Sequence, residues 1–223
     1  MASEATEVLE YAWPGTRSNA LDLGVTRLLD IAVSLCAIVL IAPLLVLIAA
    51  AIALFDRGPI VFAQPRVGRN GRMFACFKFR SMVVDADLRL AEYLAESPEA
   101  QAEWDRDHKL RNDPRITKLG LFLRKSSLDE LPQLFNVLRG DMALVGPRPI
   151  VTGEIVRYGR YFADYCAVKP GITGLWQVSG RNDVSYRRRV ALDTCYARSR
   201  SLGLDLKIAA RTVPAVLRAS GCY

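Results

Sequence analysis

The sequence predicts a mostly helical α+β protein with a membrane element. Three observations carry that reading: an apolar run over residues 31–55, strand-like segments on either side of Gly68-Arg69-Asn70-Gly71, and a succession of amphipathic helical segments from residue 83 onward. The 223 residues are 51% hydrophobic, enough for one domain with a buried core and too many for a disordered chain.

Residues 1–20 hold Glu4, Glu7 and Glu10 and lack a basic n-region, so they read as a flexible tail and not a signal peptide. Between residues 31 and 55 the only polar side chain is Ser34, and Arg27, Asp30, Asp56 and Arg57 bracket the run, as membrane insertion requires. As one helix, roughly 25 residues at ~1.5 Å each give ~37 Å, against a hydrocarbon thickness of ~30 Å. Pro43 divides the run into two arms of about twelve residues, each ~18 Å long and too short to cross. Spacing alone favours a spanning helix but leaves a re-entrant hairpin open, provided that a hydroxyl such as that of Ser34, or water, satisfies the carbonyl freed by Pro43. Arg57, Arg66, Arg69, Arg72, Lys78 and Arg80 crowd in after the run, which places the rest of the chain in the cytoplasm under either topology.

A β-hairpin is expected to turn at Asn70-Gly71, between residues 60–62 and 73–79. Residues 83–110 read as charged helix interrupted near Ser97-Pro98, and Asn112-Asp113-Pro114 marks a turn. Helices are expected over 116–124, 130–139, 152–167, 184–200 and 204–219, and a strand over 172–178. In the last helix Leu204, Ile208, Val213 and Leu217 are expected to face one way, leaving Lys207, Arg211 and Arg218 for a headgroup surface.

Composition narrows the chemistry. Thirty basic residues against 23 acidic ones leave +7, which favours an anionic partner: phosphorylated substrate, acidic lipid or nucleic acid. Five scattered cysteines without a Cys-x-x-Cys pair indicate neither a disulfide framework nor a zinc site. His108 is the only histidine and reads as a surface residue, so a metal would be held by carboxylates and phosphate, as Mg²⁺ or Mn²⁺ is. There is no Gly-x-x-x-x-Gly-Lys-Ser/Thr loop, and no Gly-x-Gly-x-x-Gly follows a strand.

Residues 127–149 are the most informative stretch. The adjacent carboxylates Asp129 and Glu130 lie between Arg124 and Arg148, the latter set between Pro147 and Pro149. Arginines so placed suit bidentate contact with phosphate oxygens. Ser127 and Glu130 have capping-box spacing, which would place the carboxylates in the first turn of a helix; Pro132 suits a helix start instead and would leave them in the turn before it. An acidic first turn is also ordinary capping. Phe77-Lys78-Phe79-Arg80 alternates as an edge strand does, with its charges in a cleft or in solvent. Gly171, Gly174 and Gly180 around Trp176 and Gln177 suit either close backbone approach to a ligand or a plain strand with turns. Arg181 and Arg187-Arg188-Arg189 suit substrate, headgroups or a solvated face. Covalent catalysis by a carboxylate on phosphorus, assisted by a metal and arginines, is the physical option that fits.

Taken together, residues 25–223 resemble the monotopic phosphoglycosyl transferases, bacterial sugar transferases that start glycan assembly on a polyprenyl carrier. The matching motifs are Thr26-Arg27-Leu28-Leu29-Asp30, Lys78-Phe79-Arg80-Ser81-Met82, Asn112-Asp113-Pro114-Arg115-Ile116-Thr117, Ser127-Leu128-Asp129-Glu130-Leu131-Pro132-Gln133, Gly146-Pro147-Arg148-Pro149 and the segment from Lys169 to Asn182 that contains Trp176 and Arg181. The resemblance implies transfer of hexose 1-phosphate from a UDP-sugar to undecaprenyl phosphate with release of UMP. It puts Asp129 at the nucleophile position and Glu130, with Asp129, at the Mg²⁺. Arg124, Gln133 and Arg148 fall at positions near the substrate phosphates, with Lys78 and Arg80 as further phosphate candidates and Lys169, Trp176 and Arg181 as candidates for the nucleotide. It implies a re-entrant hairpin broken at Pro43 over residues 21–57, a cytoplasmic catalytic domain with interfacial helices over 58–223, and a place on the cytoplasmic face of the inner membrane. Ala42-Pro43 stands where the family has Ser-Pro, removing a hydroxyl suited to the freed carbonyl. The expected partners are donor, acceptor, membrane lipids and downstream glycosyltransferases, with no nucleic acid; galactose or glucose is favoured as the sugar. A catalytically inactive membrane-tethered scaffold, or an anionic-ligand binder, is the competing reading.

Overall fold

The computed structural model describes residues 20–56, 58–107, 110–180 and 184–217, so the N-terminal tail, His108, Arg181 and Arg218 lie outside the described residues. The chain is mostly helical with two small sheets. Helix α1 (Ala20–Phe55) contains the whole apolar run and is one continuous helix with Pro43 inside it. A proline removes one intrahelical hydrogen bond, and the turns on either side keep theirs. The chain divides into two compact units, with a boundary between Ala42 and Pro43.

The first unit comprises the described residues within 20–42, 63–77 and 132–217. It takes most of the hairpin β1 (Val61–Val67) and β2 (Met73–Phe79), whose turn carries positive φ at Asn70 and Gly71, as the Asn-Gly pair predicts. Next comes α5 (Gln133–Arg139), numbered after three helices of the second unit and closed by left-handed Gly140, whose amide donates to the Asn136 carbonyl at 3.1 Å. The buried Asn136 side chain ties α5 to the hairpin, donating to the Ala75 carbonyl at 2.7 Å and accepting from the Phe77 amide at 2.9 Å. Strands β3 (Ala143–Val145) and β4 (Gly171–Thr173) run parallel, with Ala143 opposite Gly171. The single helix expected over 152–167 is instead a series of short turns that include α6 (Ile155–Tyr158) and α7 (Phe162–Ala167), interrupted by Gly159 at φ 49. The strand expected over 172–178 stops at Thr173 because the chain turns at Leu175 to Ser179.

Helices α8 (Tyr186–Ser199) and α9 (Leu202–Leu217) complete the unit. Their core joins Val145, Leu175, Trp176, Leu192, Tyr196, Leu204 and Ile208. Leu204 and Ile208 face that core as expected, but Val213 is exposed, because five residues of helix turn it away from Ile208.

The second unit comprises the described residues of Pro43–Phe62 and Lys78–Leu131. It holds α2 (Ala86–Glu96) and α3 (Pro98–Asp107), which break at Ser97-Pro98 as read, and α4 (Lys118–Lys125). Ile48 and Ile52 from α1 pack with Phe79 and Leu123 to form its core.

Candidate active site

The site in the second unit begins at the end of β2, where successive side chains point to opposite faces. Phe79 turns into the core, and Lys78 turns the other way, its Nζ donating to Glu130 Oε1 at 2.6 Å. Lys78 is thus partly buried and ion-paired with Glu130. Arg80 is placed differently: it is 7% exposed and donates through Nη2 to the Asp56 carbonyl at 2.9 Å, while its Nε and Nη1 have no hydrogen-bond partner.

Helix α4 delivers Arg124. Thr117 caps its start, with Oγ1 accepting from the Gly120 amide at 2.9 Å and donating to Asp56 Oδ2 at 3.0 Å. Gly120 is required because a Cβ there would collide with the backbone of Ser81. The close approach lets Arg124 Nε donate to Ser81 Oγ at 2.8 Å. Among the described residues the terminal nitrogens of Arg124 have no hydrogen-bond partner, a planar fork of the kind that grips phosphate oxygens. Neighbouring Arg115 is fully engaged with Asp113, Nε to Oδ1 at 2.8 Å and Nη2 to Oδ2 at 2.7 Å.

After α4 the chain reverses at Ser127, which adopts a left-handed conformation at φ 58, and makes one 3₁₀ turn, Leu128–Glu130, before α5. The Ser127 side chain makes no capping hydrogen bond, so the capping box is absent and the carboxylates sit in the turn before the helix. The start of the helix is displaced to Gln133 by Pro132. Leu128 and Leu131, three apart and so on one side of the turn, pack on the core and leave Asp129 and Glu130 between them. Asp129 is 8% exposed. Burial pushes its carboxyl above the ordinary value of 3.8, Lys78 and Arg124 pull it down, and the Glu130 carboxylate pushes it up. Burial also lowers the Arg124 guanidinium, which Asp129 and Asp113 support. A buried carboxylate beside a lysine and an unsaturated arginine fork is equipped to attack an electrophilic, anionic phosphorus.

The remaining predicted site residues belong to the first unit. Gln133 is buried at the head of α5, and Arg148 is exposed between buried Pro147 and Pro149. Lys169 is half-buried, its ammonium lowered chiefly by burial and next by Arg27. Trp176 is 3% exposed within the core, with Arg189 4.5 Å over its ring, so its faces are taken by protein. Cβ atoms at Gly171 or Gly174 would strike the backbone of Gly146: the close approach that these glycines permit is to their own chain. The sequence gives Ser81 and Asp56 no role of their own in the site, since no local pattern announces a hydrogen bond such as Arg124 to Ser81, 43 residues apart.

The chain matches the bacterial sugar transferase family over residues 21–219 and belongs to it. It is 51% identical over 197 residues to the undecaprenyl-phosphate galactose phosphotransferase of Salmonella typhimurium, covering 88% of this chain and 41% of that protein. It is 47% identical over 197 residues to the exopolysaccharide production protein ExoY of Rhizobium meliloti, covering 88% of this chain and 87% of that one. The UDP-glucose:undecaprenyl-phosphate glucose-1-phosphate transferase of Caulobacter vibrioides is 41% identical over 206 residues, with 88% and 71% covered. The chain therefore spans about two fifths of the Salmonella relative and most of ExoY.

Proposed function

We propose that the protein transfers hexose 1-phosphate from a UDP-sugar to undecaprenyl phosphate, releasing UMP, as the first step of exopolysaccharide or glycan assembly. The observation that carries the reading is the buried Asp129 carboxyl flanked by Lys78 and the open fork of Arg124. Relatives named for galactose and glucose transfer favour those sugars.

An Asp129 carboxylate oxygen attacks the β-phosphorus of the donor; the bond from that phosphorus to the bridging oxygen breaks, and UMP departs with the electron pair. An oxygen of the lipid phosphate then attacks the same phosphorus and frees Asp129. Two encounters, one with a soluble nucleotide and one with a lipid, are thereby separated in time. Arg124 holds phosphate oxygens through its terminal nitrogens, and Lys78, tied to Glu130, favours the ionised form of Asp129 against the burial that raises it. Gln133 and Arg148 are further candidates for the diphosphate, with Lys169 for the nucleotide.

Asp129 and Glu130 fit Mg²⁺ or Mn²⁺. Among the described residues no three His, Cys, Asp or Glu side chains form a protein-only cage, and Mg²⁺ is ordinarily held by one or two carboxylates with substrate phosphates. Bound there, the ion would supply charge neutralisation at the diphosphate.

Both ends of α1 are held by chain that follows it, which supports a re-entrant topology. Arg27 donates to the Val137 and Leu138 carbonyls at 2.6 and 2.9 Å, and Asp30 accepts from the Leu144 amide at 3.0 Å. Near the other end, Ile48 and Ile52 pack with Phe79 and Leu123. Among the described residues no second helix is long and apolar enough to cross a membrane, so a spanning α1 would part Arg27 from its partners. Exposed Val39, Leu40, Val46 and Leu47 between the two ends suit lipid. The basic residues after the run favour the cytoplasmic face of the inner membrane.

The test is UMP release from a panel of UDP-hexoses, using protein in detergent with undecaprenyl phosphate and Mg²⁺, beside Asp129→Asn. UMP from one sugar, abolished by the substitution, is the expected result; no UMP from any donor would favour the inactive scaffold.

A further inference from the structure

Helix α4 rests on Ser81 through the face that also carries Arg124. Residues 81–83 run antiparallel to residues 115–117: the Thr117 amide donates to the Ser81 carbonyl at 3.2 Å, the Val83 amide donates to the Arg115 carbonyl at 2.9 Å, and Met82 lies opposite Ile116. Thr117 is the N-cap of α4, so this pairing fixes the start of the helix on the Ser81 backbone. Three residues further on, a Cβ at Gly120 would strike that same backbone, and Arg124 follows four residues later on the same face. Ser81 is only 8% exposed. Its Oγ is therefore held at a set place beside the guanidinium, 2.8 Å from Nε.

A hydroxyl anchors an arginine differently from a carboxylate. A carboxylate at Nε would fix the guanidinium and also neutralise it, whereas a hydroxyl fixes it and leaves its full charge for an anion. The two carboxylates whose charge supports Arg124 are not used as anchors. Asp113 accepts two hydrogen bonds from Arg115, at 2.8 and 2.7 Å, and Asp129 forms no ion pair with Arg124. Nε is the donor nearest the aliphatic stem, so bonding it holds the plane of the group while both terminal nitrogens stay open. An arginine left to rotate would be ordered only when substrate binds, at a cost in entropy; one already held avoids that cost.

We infer that Ser81 is a positioning residue for the transfer: its hydroxyl holds the Arg124 guanidinium, still fully charged, in the orientation that meets a substrate phosphate. The inference rests on the transferase reading above for the reaction, and on the hydrogen bond between Arg124 and Ser81 for the role.

The experiment measures kcat/KM for transfer from the radiolabelled UDP-hexose panel to undecaprenyl phosphate, with the full chain in detergent and Mg²⁺. Ser81→Ala and Ser81→Val should each lower kcat/KM about tenfold, the effect of losing one hydrogen bond to a charged group. Ser81→Thr, which matches valine in shape but keeps the hydroxyl, should retain most of the activity. In an Arg124→Met background the loss on Ser81→Ala should vanish, because a serine that acts through Arg124 then has nothing to hold; a serine needed only for packing costs the same in both backgrounds. Alanine adds no bulk, so this cycle decides the matter even if a branched side chain disturbs the packing around Ser81. An equal loss on Ser81→Ala in the two backgrounds, or Ser81→Ala as active as the parent, overturns the inference while leaving the transferase reading intact. Failure of the parent protein to use any donor of the panel overturns both.

Discussion

Residues 113–131 and residues 143–176 are equally dense in distinctive sequence, yet they hold it for opposite reasons. In the first stretch a backbone reversal at Ser127 delivers a buried carboxyl to a turn beside Lys78 and an arginine whose terminal nitrogens have no hydrogen-bond partner among the described residues. In the second, glycines let parallel strands and their flanking turns approach until backbone meets backbone, and Trp176 fills the core. The difference teaches that motif density does not separate chemistry from architecture; unmatched polar atoms do.

The comparison breaks most sharply at Asp129. Asp129→Asn should lower turnover by about 10⁴-fold or more, as loss of a catalytic nucleophile does. Measured by thermal unfolding in detergent, the same protein should be more stable than the parent at neutral pH. The sign follows from the raised carboxyl: the ionised form is penalised in the folded state, so the penalty is present above the folded value, and the asparagine's advantage fades as pH falls through it towards 3.8.

Lys78→Met should cost about 10²-fold in turnover, the effect of removing one electrostatic stabiliser. It should also move the acidic limb of the pH–rate profile upward, because Lys78 lowers Asp129. An unmoved limb would mean that the profile reports another group.

On the architectural side, Gly171→Ala should destabilise by about 1–3 kcal/mol, since the new Cβ strikes the backbone of Gly146. That corresponds to several degrees of melting temperature, with the turnover of the protein that remains folded unchanged. The smallest effect should come from Ser127→Gly, which relieves a left-handed residue and should stabilise by about 1 kcal/mol in a denaturant titration.

What was legible in the sequence was local. Asn70-Gly71 announced the hairpin, Ser97-Pro98 the helix break, and Pro132 the start of the helix that follows the adjacent carboxylates. The capping box failed because Pro132 moved the start of the helix beyond the carboxylates, and the strand expected at 172–178 was cut short by the turn at Leu175. Arg80 read as an edge-strand charge in a cleft or in solvent, and as a phosphate candidate, but it is buried and bonded to the Asp56 carbonyl, a partner set by long-range packing. The same holds for Arg189 on Trp176, which a run of three arginines gave no reason to single out.

The most direct test of Asp129 as nucleophile is peptide mass spectrometry after incubation with the preferred UDP-hexose and Mg²⁺ in the absence of any lipid acceptor. A hexose-phosphate adduct on Asp129, accompanied by one equivalent of UMP and discharged on addition of undecaprenyl phosphate, is the predicted result. UMP that appears only when the acceptor is present, with Asp129 never modified, would contradict it and indicate direct transfer between donor and lipid.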